Sequence, residues 1–228
     1  MTTSKLVEIL YDMTAFLFAI SVHESAHAWT ASRCGDPTAR MLGRVSLNPI
    51  RHIDPVGSIV LPLVAAFSPI PLVGWAKPTP VDPRNFRNPV LDDILTSVAG
   101  PVSNFIVATA ALLLLGVISL SSDLGHAIVR GLAPDVTGTV SGSPLAFAAE
   151  LLYVLMLINI TLAVFNLIPV PPLDGSHVLR HFLSDSIRVV YDRMGILALL
   201  ALVYLAPGLL WSLIRPVRDF YLSILVRF

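Results

Sequence analysis

Long runs of apolar residues, separated by short polar or proline-rich stretches, dominate the pattern along the chain. The longest runs cover about residues 6–29, 94–120, 145–168 and 195–213. A helix that crosses the hydrocarbon core of a bilayer needs about 20 predominantly apolar residues. We therefore expect an all-α integral membrane protein, a polytopic helical bundle with about four to six spans. The range reflects the end of the chain, where Pro207-Gly208 could divide the last run and 215–228 could lie in the interface or cross.

Residues 57–73 are apolar too, but this run is short and contains Pro62, Pro69 and Pro71. Proline removes a backbone donor and breaks helices. Irregular backbone at membrane depth is tolerated only where protein surrounds it or where it lines a cavity. We therefore predict a re-entrant or irregular segment near 57–73. The alternative, in which 57–73 crosses and the segment after Asn166 re-enters instead, stays open.

The composition agrees with a chain that lipid surrounds. Hydrophobic residues make up 55% of the 228 residues, charged residues only 13%, and the mean hydropathy is +0.77. Globular proteins carry about a quarter charged residues. The formal net charge is zero, so no broad basic surface exists and we expect no nucleic-acid partner. Cys34 is the single cysteine, which excludes an intrachain disulfide and a cysteine-based zinc cage.

The first apolar run carries three ionisable side chains near its end. Residues 23–27 read His-Glu-Ser-Ala-His, an H-E-x-x-H pattern. On a helix, His23 and His27 share a face and can reach one metal ion, and Glu24 lies beside them as a general base. The pattern also arises by chance, but ionisable residues are costly inside a membrane helix and are functional candidates there. We interpret the three residues as two metal ligands and a base.

A catalytic zinc site needs a third protein ligand if one position is to stay open. The third histidine of the extended motif is absent, because Arg33 occupies its position. The third ligand must therefore come from far along the chain. Asp174 is the candidate, since it follows a proline-rich break at 169–172 and Gly175 lets the chain turn after it. A plain Asp-Gly turn is the alternative interpretation.

Several motifs together resemble a known family. They are, in chain order, HESAHAW at 23–29, NPIRHIDPVG at 48–57, GWAKP at 74–78, AGPVSN at 99–104 and NLIPVPPLDG at 166–175. In type and order they resemble the site-2 protease family (peptidase family M50) of intramembrane zinc metalloproteases, in its compact prokaryotic branch without PDZ or CBS domains. The resemblance spans most of the chain and implies one intramembrane metalloprotease domain over 1–228.

The resemblance also implies roles for individual residues. His23, His27 and Asp174 match the zinc ligands of the family, for one Zn²⁺ per chain, and Glu24 matches its general base. Asn166 matches an asparagine that helps to hold the substrate or the developing oxyanion, although it could simply cap its helix. The implied reaction is regulated intramembrane proteolysis. In it, a zinc-activated water hydrolyses a peptide bond within or next to a transmembrane segment of a membrane-protein substrate.

The remaining polar residues receive simpler interpretations. His52 is expected to be structural, and His126 and His181 interfacial. His177 lies three residues from Asp174 and is expected to have no role in the site, with a contact near Asp174 or weak accessory ligation as the alternative. Gly100 and Pro101 are expected to allow close helix packing and a kink.

A shared metal ion fixes the direction of the helices. His23 and His27 lie near the end of the first run and Asp174 follows the end of 145–168, so both helices must cross in the same direction. The stretches on that side, 33–56, 77–90 and 180–193, hold ten lysines and arginines in total, whereas 121–146 holds only Arg130. By the positive-inside rule the site lies near the cytoplasmic face of the cell membrane. The sequence leaves the oligomeric state open.

Three other functions fit parts of the pattern. A catalytically silent relative would bind metal or substrate only, but all four key positions are intact. A membrane metal transporter would usually spread its ligands over several spans in repeated halves. A zinc hydrolase that acts on a lipid or a prenylated protein could also carry H-E-x-x-H in a membrane helix, and only the family resemblance disfavours it.

Overall fold

The structure is a computed structural model, and it describes residues 3–67, 74–132 and 143–228. No strand occurs in these residues, which confirms the predicted all-α class. The α-helices are α1 (Thr3–Cys34), α2 (Thr38–Met41), α3 (Leu61–Ala66), α4 (Pro89–Ser121), α5 (Asp123–Gly131), α6 (Pro144–Asn166), α7 (Asp174–Arg180), α8 (Asp185–Leu205) and α9 (Pro207–Leu225). A π-helical stretch, Pro55–Val60, leads directly into α3.

Three helices are long and apolar enough to cross a membrane: Lys5–Cys34, Pro89–Ser121 and Pro144–Asn166. Helices α8 and α9 form a pair bent by 80° that counts as a fourth crossing if the pair is one broken span. The multi-pass prediction is confirmed, with three or four such helices in the described residues against the four to six expected. The last apolar run is not one helix, because α8 ends at Leu205 and Pro207, which has no N–H, begins α9.

Helix α4 lies at the centre and packs between α1 and α6. Small residues line its buried face, including Ala108 and Ala111, which are 0% and 2% exposed. They let α6 approach closely, and Met156 and Ile160 of α6 fill the space between the helices. Because lipid is as apolar as these side chains, close packing rather than exclusion of water holds such helices together.

Helices α1 and α6 run in the same direction. Asp174, which follows α6, reaches His23 near the end of α1, whereas Asn104 in the first half of α4 meets the same histidine. Along α4, Thr96 meets His27 and Asn104 meets His23, so α4 runs opposite to α1 and therefore to α6. This is the arrangement that the argument from a shared metal ion predicts.

The apolar segment after Asp54 is too short to cross. Residues Pro55–Ala66 are helical over about 18 Å, at about 1.5 Å per residue, against a hydrocarbon core of about 30 Å. Trp75 lies beside the beginning of this segment, since its N–H donates to the carbonyl of Gly57 over 3.2 Å. The segment therefore does not carry the chain across the bilayer. Residues 74–82 lie beside α1, where Thr79 contacts Glu24. Residues 68–73, part of the predicted re-entrant segment, lie outside the described residues.

Candidate metal centre

The two histidines of the H-E-x-x-H pattern lie on one buried face of α1. His23 is 7% exposed and His27 is 8% exposed. Their Nε2 atoms lie 3.0 Å apart, as the spacing of four residues on a helix allows. The predicted pair is therefore assembled by α1 alone.

The hydrogen bonds of the histidines determine which ring nitrogen carries the proton. Nδ1 of His23 lies 2.6 Å from Oδ1 of Asn104, and Nδ1 of His27 lies 2.7 Å from the carbonyl oxygen of Thr96. Carbonyl oxygens only accept, so each Nδ1 donates. Each Nε2 is then left with a lone pair, and the two lone pairs face the same point.

Asp174 completes the cluster from the first turn of α7. Its Oδ2 lies 3.1 Å from Nε2 of His23 and 3.4 Å from Nε2 of His27. This oxygen is buried and has no hydrogen-bond partner among the described residues. Gly175 is needed behind it, because a Cβ there would lie 2.3 Å from the carbonyl oxygen of Leu167. When both imidazoles are neutral, three electron-pair donors thus converge at one point.

Such a group of donors requires a cation. Two imidazole nitrogens and one carboxylate oxygen form a ligand set that suits zinc and leaves a fourth position open. Ligands about 2.0–2.2 Å from a tetrahedral zinc ion lie about 3.3–3.6 Å from one another. The separation of 3.4 Å falls in this range, and those of 3.0 and 3.1 Å are shorter by a few tenths of an ångström. The residues therefore fit a zinc ion.

Glu24 lies beside the same point but is held differently. One carboxylate oxygen of Glu24 lies within 4.8 Å of ligand nitrogens of both histidines. Its Oε2 accepts hydrogen bonds from the N–H and the hydroxyl of Thr79, at 2.8 and 2.7 Å. The two carboxylates near the histidines therefore differ: that of Asp174 faces both histidines, and that of Glu24 is hydrogen-bonded to Thr79.

Two buried asparagines support His23 from behind. Asn104, 0% exposed, donates its Nδ2 to Oδ1 of Asn159 over 2.7 Å and to the carbonyl of Ala19 over 3.3 Å. Asn159, also 0% exposed, donates to the carbonyl of Leu155. These bonds fix the Asn104 amide with Oδ1 towards the histidine. In the sequence, Asn104 stood out only as the end of the AGPVSN motif and Asn159 not at all, although a lone amide in an apolar helix is a signal.

Gly100 and Pro101 occupy the part of α4 that faces the histidines. A Cβ on Gly100 would lie 2.4 Å from Nε2 of His27 and 2.6 Å from Nε2 of His23. The close helix packing predicted for this glycine is present, and it occurs at the metal centre itself. Pro101 lies inside α4, which continues through it.

The remaining predicted residues lie around the cluster. Asn166 donates its Nδ2 to the carbonyl of Leu162 over 3.0 Å, which is the helix-capping contact considered as its alternative role. His52 is 0% exposed, and burial lowers the pKa of this histidine, in agreement with a structural role. His177 is exposed on α7. His181 is more than an interfacial residue, since its Nε2 lies 2.7 Å from Oδ2 of Asp93 and joins α7 to α4.

Comparison with known proteins identifies the family. The model of Peptidase family M50 matches residues 11–205. The chain belongs to peptidase family M50. It is 34% identical to the "Putative zinc metalloprotease YwhC" of Bacillus subtilis (strain 168) over 220 residues, 94% of this chain and 90% of that protein.

More distant M50 relatives are also longer. The chain is 30% identical to the "Putative zinc metalloprotease Rip2" of Mycolicibacterium smegmatis, over 75% of this chain and 57% of that protein. It is 30% identical to the protein of the same name from Mycobacterium tuberculosis H37Rv, over 86% of this chain and 67% of that protein. No solved structure matches the chain. The predicted membership of the M50 family is thus confirmed.

Proposed function

We propose that this M50 protein is an intramembrane zinc metalloendopeptidase that hydrolyses peptide bonds within or next to the transmembrane segments of membrane-protein substrates. One observation carries the proposal. The lone pairs of His23, His27 and Asp174 converge beside the carboxylate of Glu24, at the ends of helices long enough to cross a bilayer. Regulated intramembrane proteolysis is the process that such an enzyme serves.

His23, His27 and Asp174 are the proposed ligands of one zinc ion per chain. The hydrogen bonds to Asn104 and Thr96 keep both Nε2 atoms unprotonated and aimed at the site. A bound zinc ion supplies a Lewis acid that activates water and polarises the scissile carbonyl. Asp174 fits the ligand role better than Glu24 does, because its Oδ2 has no hydrogen-bond partner in the described part of the chain.

Glu24 is the proposed general base. Its carboxylate lies close to the ligand nitrogens and is held by Thr79. In this position Glu24 takes a proton from the attacking water and later passes it to the leaving amine. Asn166 is the proposed donor to the developing negative charge on the substrate carbonyl oxygen. For this role its Nδ2 must leave the carbonyl of Leu162 when substrate binds.

The proposed substrate and location follow from the surroundings of the site. The substrate is a helix in the lipid bilayer, and it must unwind locally because a helical backbone hides its peptide bonds. The excess of lysine and arginine on the side of the chain that carries the site supports a location near the cytoplasmic face of the cell membrane. We propose that residues 1–228 act as one catalytic domain.

The test compares purified wild-type protein with Glu24→Gln and Asp174→Asn. Zinc content and cleavage of a panel of single-span membrane proteins are measured in lipid vesicles. We expect Glu24→Gln to keep zinc and lose cleavage, and Asp174→Asn to lose both. Glu150→Gln, the same change on an exposed residue of α6, is the matched control and should alter neither.

Two results would contradict the proposal. Equal cleavage by wild type and Glu24→Gln would show that Glu24 is not the general base. A wild type without stoichiometric zinc would show that the protein is not a zinc enzyme. Release of a lipid or prenyl product instead of peptide fragments would favour the lipid or prenyl-protein hydrolase.

A further inference from the structure

Thr79 lies outside the H-E-x-x-H pattern and contacts Glu24 at three points. Its N–H donates to Oε2 over 2.8 Å, its hydroxyl donates to the same oxygen over 2.7 Å, and the hydroxyl lies 3.1 Å from the main-chain oxygen of Glu24. We propose that Thr79 is a positioning residue that holds the Glu24 carboxylate in the orientation that a general base needs. This inference rests on the proposed function.

The two oxygens of the Glu24 carboxylate have different hydrogen-bond partners. Both donors of Thr79 act on Oε2, so Oε1 is engaged by neither. A general base must lie within about 2.6–3.2 Å of the group that gives up its proton. A free glutamate side chain rotates about several bonds and spends little time in one such position. Two hydrogen bonds to one oxygen restrict that rotation and leave the other oxygen free to face the site.

The local sequence prepares Thr79 for this contact. It lies between Pro78 and Pro80. Proline fixes its own φ and restricts the preceding residue to an extended backbone, so Thr79 has little conformational freedom to lose. Neither proline has an N–H, which leaves Thr79 as the single main-chain donor of the tripeptide.

Two buried charged residues fix the segment on either side of Thr79. Arg44, 5% exposed, donates to the carbonyl oxygens of Lys77 and Pro78, over 2.7 Å in each case. Asp36, 0% exposed, accepts the N–H of Asp82 at its Oδ2 over 2.8 Å. Buried charged groups with well-matched partners specify one arrangement of the chain. Thr79 is therefore held against α1 by more than its own contact with Glu24.

The test uses full-length protein in lipid vesicles with a substrate that the wild type cleaves. Thr79→Val removes the hydroxyl at nearly the same volume, and Thr79→Ser restores it. Loss of one hydrogen bond to a charged group should lower kcat about tenfold in Thr79→Val. We expect KM and zinc content to stay unchanged and Thr79→Ser to recover most of kcat. Thr161→Val, which alters an exposed threonine of α6, is the matched control and should behave as wild type.

A second readout does not depend on activity. Amide hydrogen exchange is measured in metal-free protein, with and without the change Glu24→Ala. If Thr79 N–H is bonded to the carboxylate, the change should accelerate its exchange about tenfold or more. Exchange of Arg87 N–H, which donates to the carbonyl of Cys34, should not change.

The outcomes distinguish this inference from the proposed function. Wild-type kcat in Thr79→Val, or a loss of zinc together with kcat that Thr79→Ser does not repair, would overturn the positioning role. Unchanged exchange of Thr79 in Glu24→Ala would do the same. A wild type that cleaves and holds zinc while Thr79→Val is unaltered overturns only this inference. A wild type that does neither overturns both.

Discussion

Gly100 of α4 lies so close to His27 of α1 that a Cβ on the glycine would fall 2.4 Å from Nε2 of that histidine. No real Cβ contact is that short, so an alanine at this position must displace a helix or an imidazole. Gly100 therefore does more than allow two helices to pack. It keeps open the space in which the proposed zinc ligands face one another.

We expect Gly100→Ala to abolish zinc binding and cleavage while the protein still folds, since overpacking usually costs about 1–3 kcal/mol. This is checked by measuring zinc content, cleavage and the melting temperature of the detergent-solubilised protein. Gly208→Ala is the matched control, because a Cβ at Gly208 meets nothing within 4 Å. Full zinc occupancy in Gly100→Ala would show that α1 and α4 can move apart to accept a Cβ, and that zinc binding does not require glycine at this position.

The chain of amides behind His23 gives a second prediction. Asn104→Ala removes the acceptor of the Nδ1 proton, and Asn159→Leu removes the partner that orients Asn104. Loss of such a supporting contact typically weakens metal affinity about 10–100-fold. We expect that loss in Asn104→Ala and a smaller one in Asn159→Leu, measured by competition with a zinc chelator. Because the two residues act in series, the double variant should bind zinc about as weakly as Asn104→Ala alone. If the losses of zinc affinity in the two single variants add up in the double variant, Asn159 does not act through Asn104.

Part of this arrangement could be predicted from the sequence. His23, Glu24 and His27 were predictable because their geometry depends only on the period of a helix. The approach of Asp174 to the two histidines was predictable, because the proposed site lacked a third ligand and few acidic residues follow a break in an apolar run. Helix direction followed from the same requirement. These predictions needed only the geometry of a helix and the condition that one metal ion is reached from two distant segments.

The supporting residues could not be predicted in the same way. Thr79 lies in an extended segment without periodicity, and its partner became visible only once residues 74–82 were placed beside α1. Asn104 and Asn159 lie on different helices, and nothing in their spacing shows that they meet. In each case the contact depends on how the helices assemble.

Metal removal gives a third prediction, because three lone pairs that face one another repel when no cation is present. A ligand that binds only the folded state at a thousandfold excess over its Kd adds about 4 kcal/mol of stability. We expect a chelator to lower the melting temperature and zinc, but not magnesium, to restore it, since magnesium prefers oxygen ligands. Glu24→Gln should show the same shift and Asp174→Asn little or none. An equal shift in both variants would contradict the ligand assignment.

Asn166 gives a fourth prediction that separates two roles. Removal of one donor to a developing oxyanion typically costs about 10²–10³ in kcat. We expect Asn166→Ala to lower kcat by about that factor and to leave KM and zinc content unchanged. If the hydrogen bond to Leu162 is its whole role, the same variant will instead lose thermal stability and keep kcat.

Asp36 gives a prediction about pH. Burial by itself raises the pKa of Asp36, but hydrogen bonds from Thr38, Asn85 and the N–H of Asp82 outweigh it and hold the pKa below its usual value. A carboxyl whose pKa is lower in the folded state contributes stability above its unfolded pKa of about 3.9 and loses it as the pH falls through the folded value.

We therefore expect Asp36→Asn to lower the melting temperature at pH 7, where that contribution is fully present, and to lose less stability than wild type between about pH 5 and pH 2. Asp185→Asn is the matched control, since the side chain of Asp185 is 98% exposed. Because the N–H groups of Asp82 and Thr38 donate to the Asp36 carboxylate, Asp36→Asn should accelerate amide exchange at Asp82 and Thr38. Parallel acid melting curves for Asp36→Asn and wild type would show that the hydrogen bonds to Asp36 contribute nothing to stability.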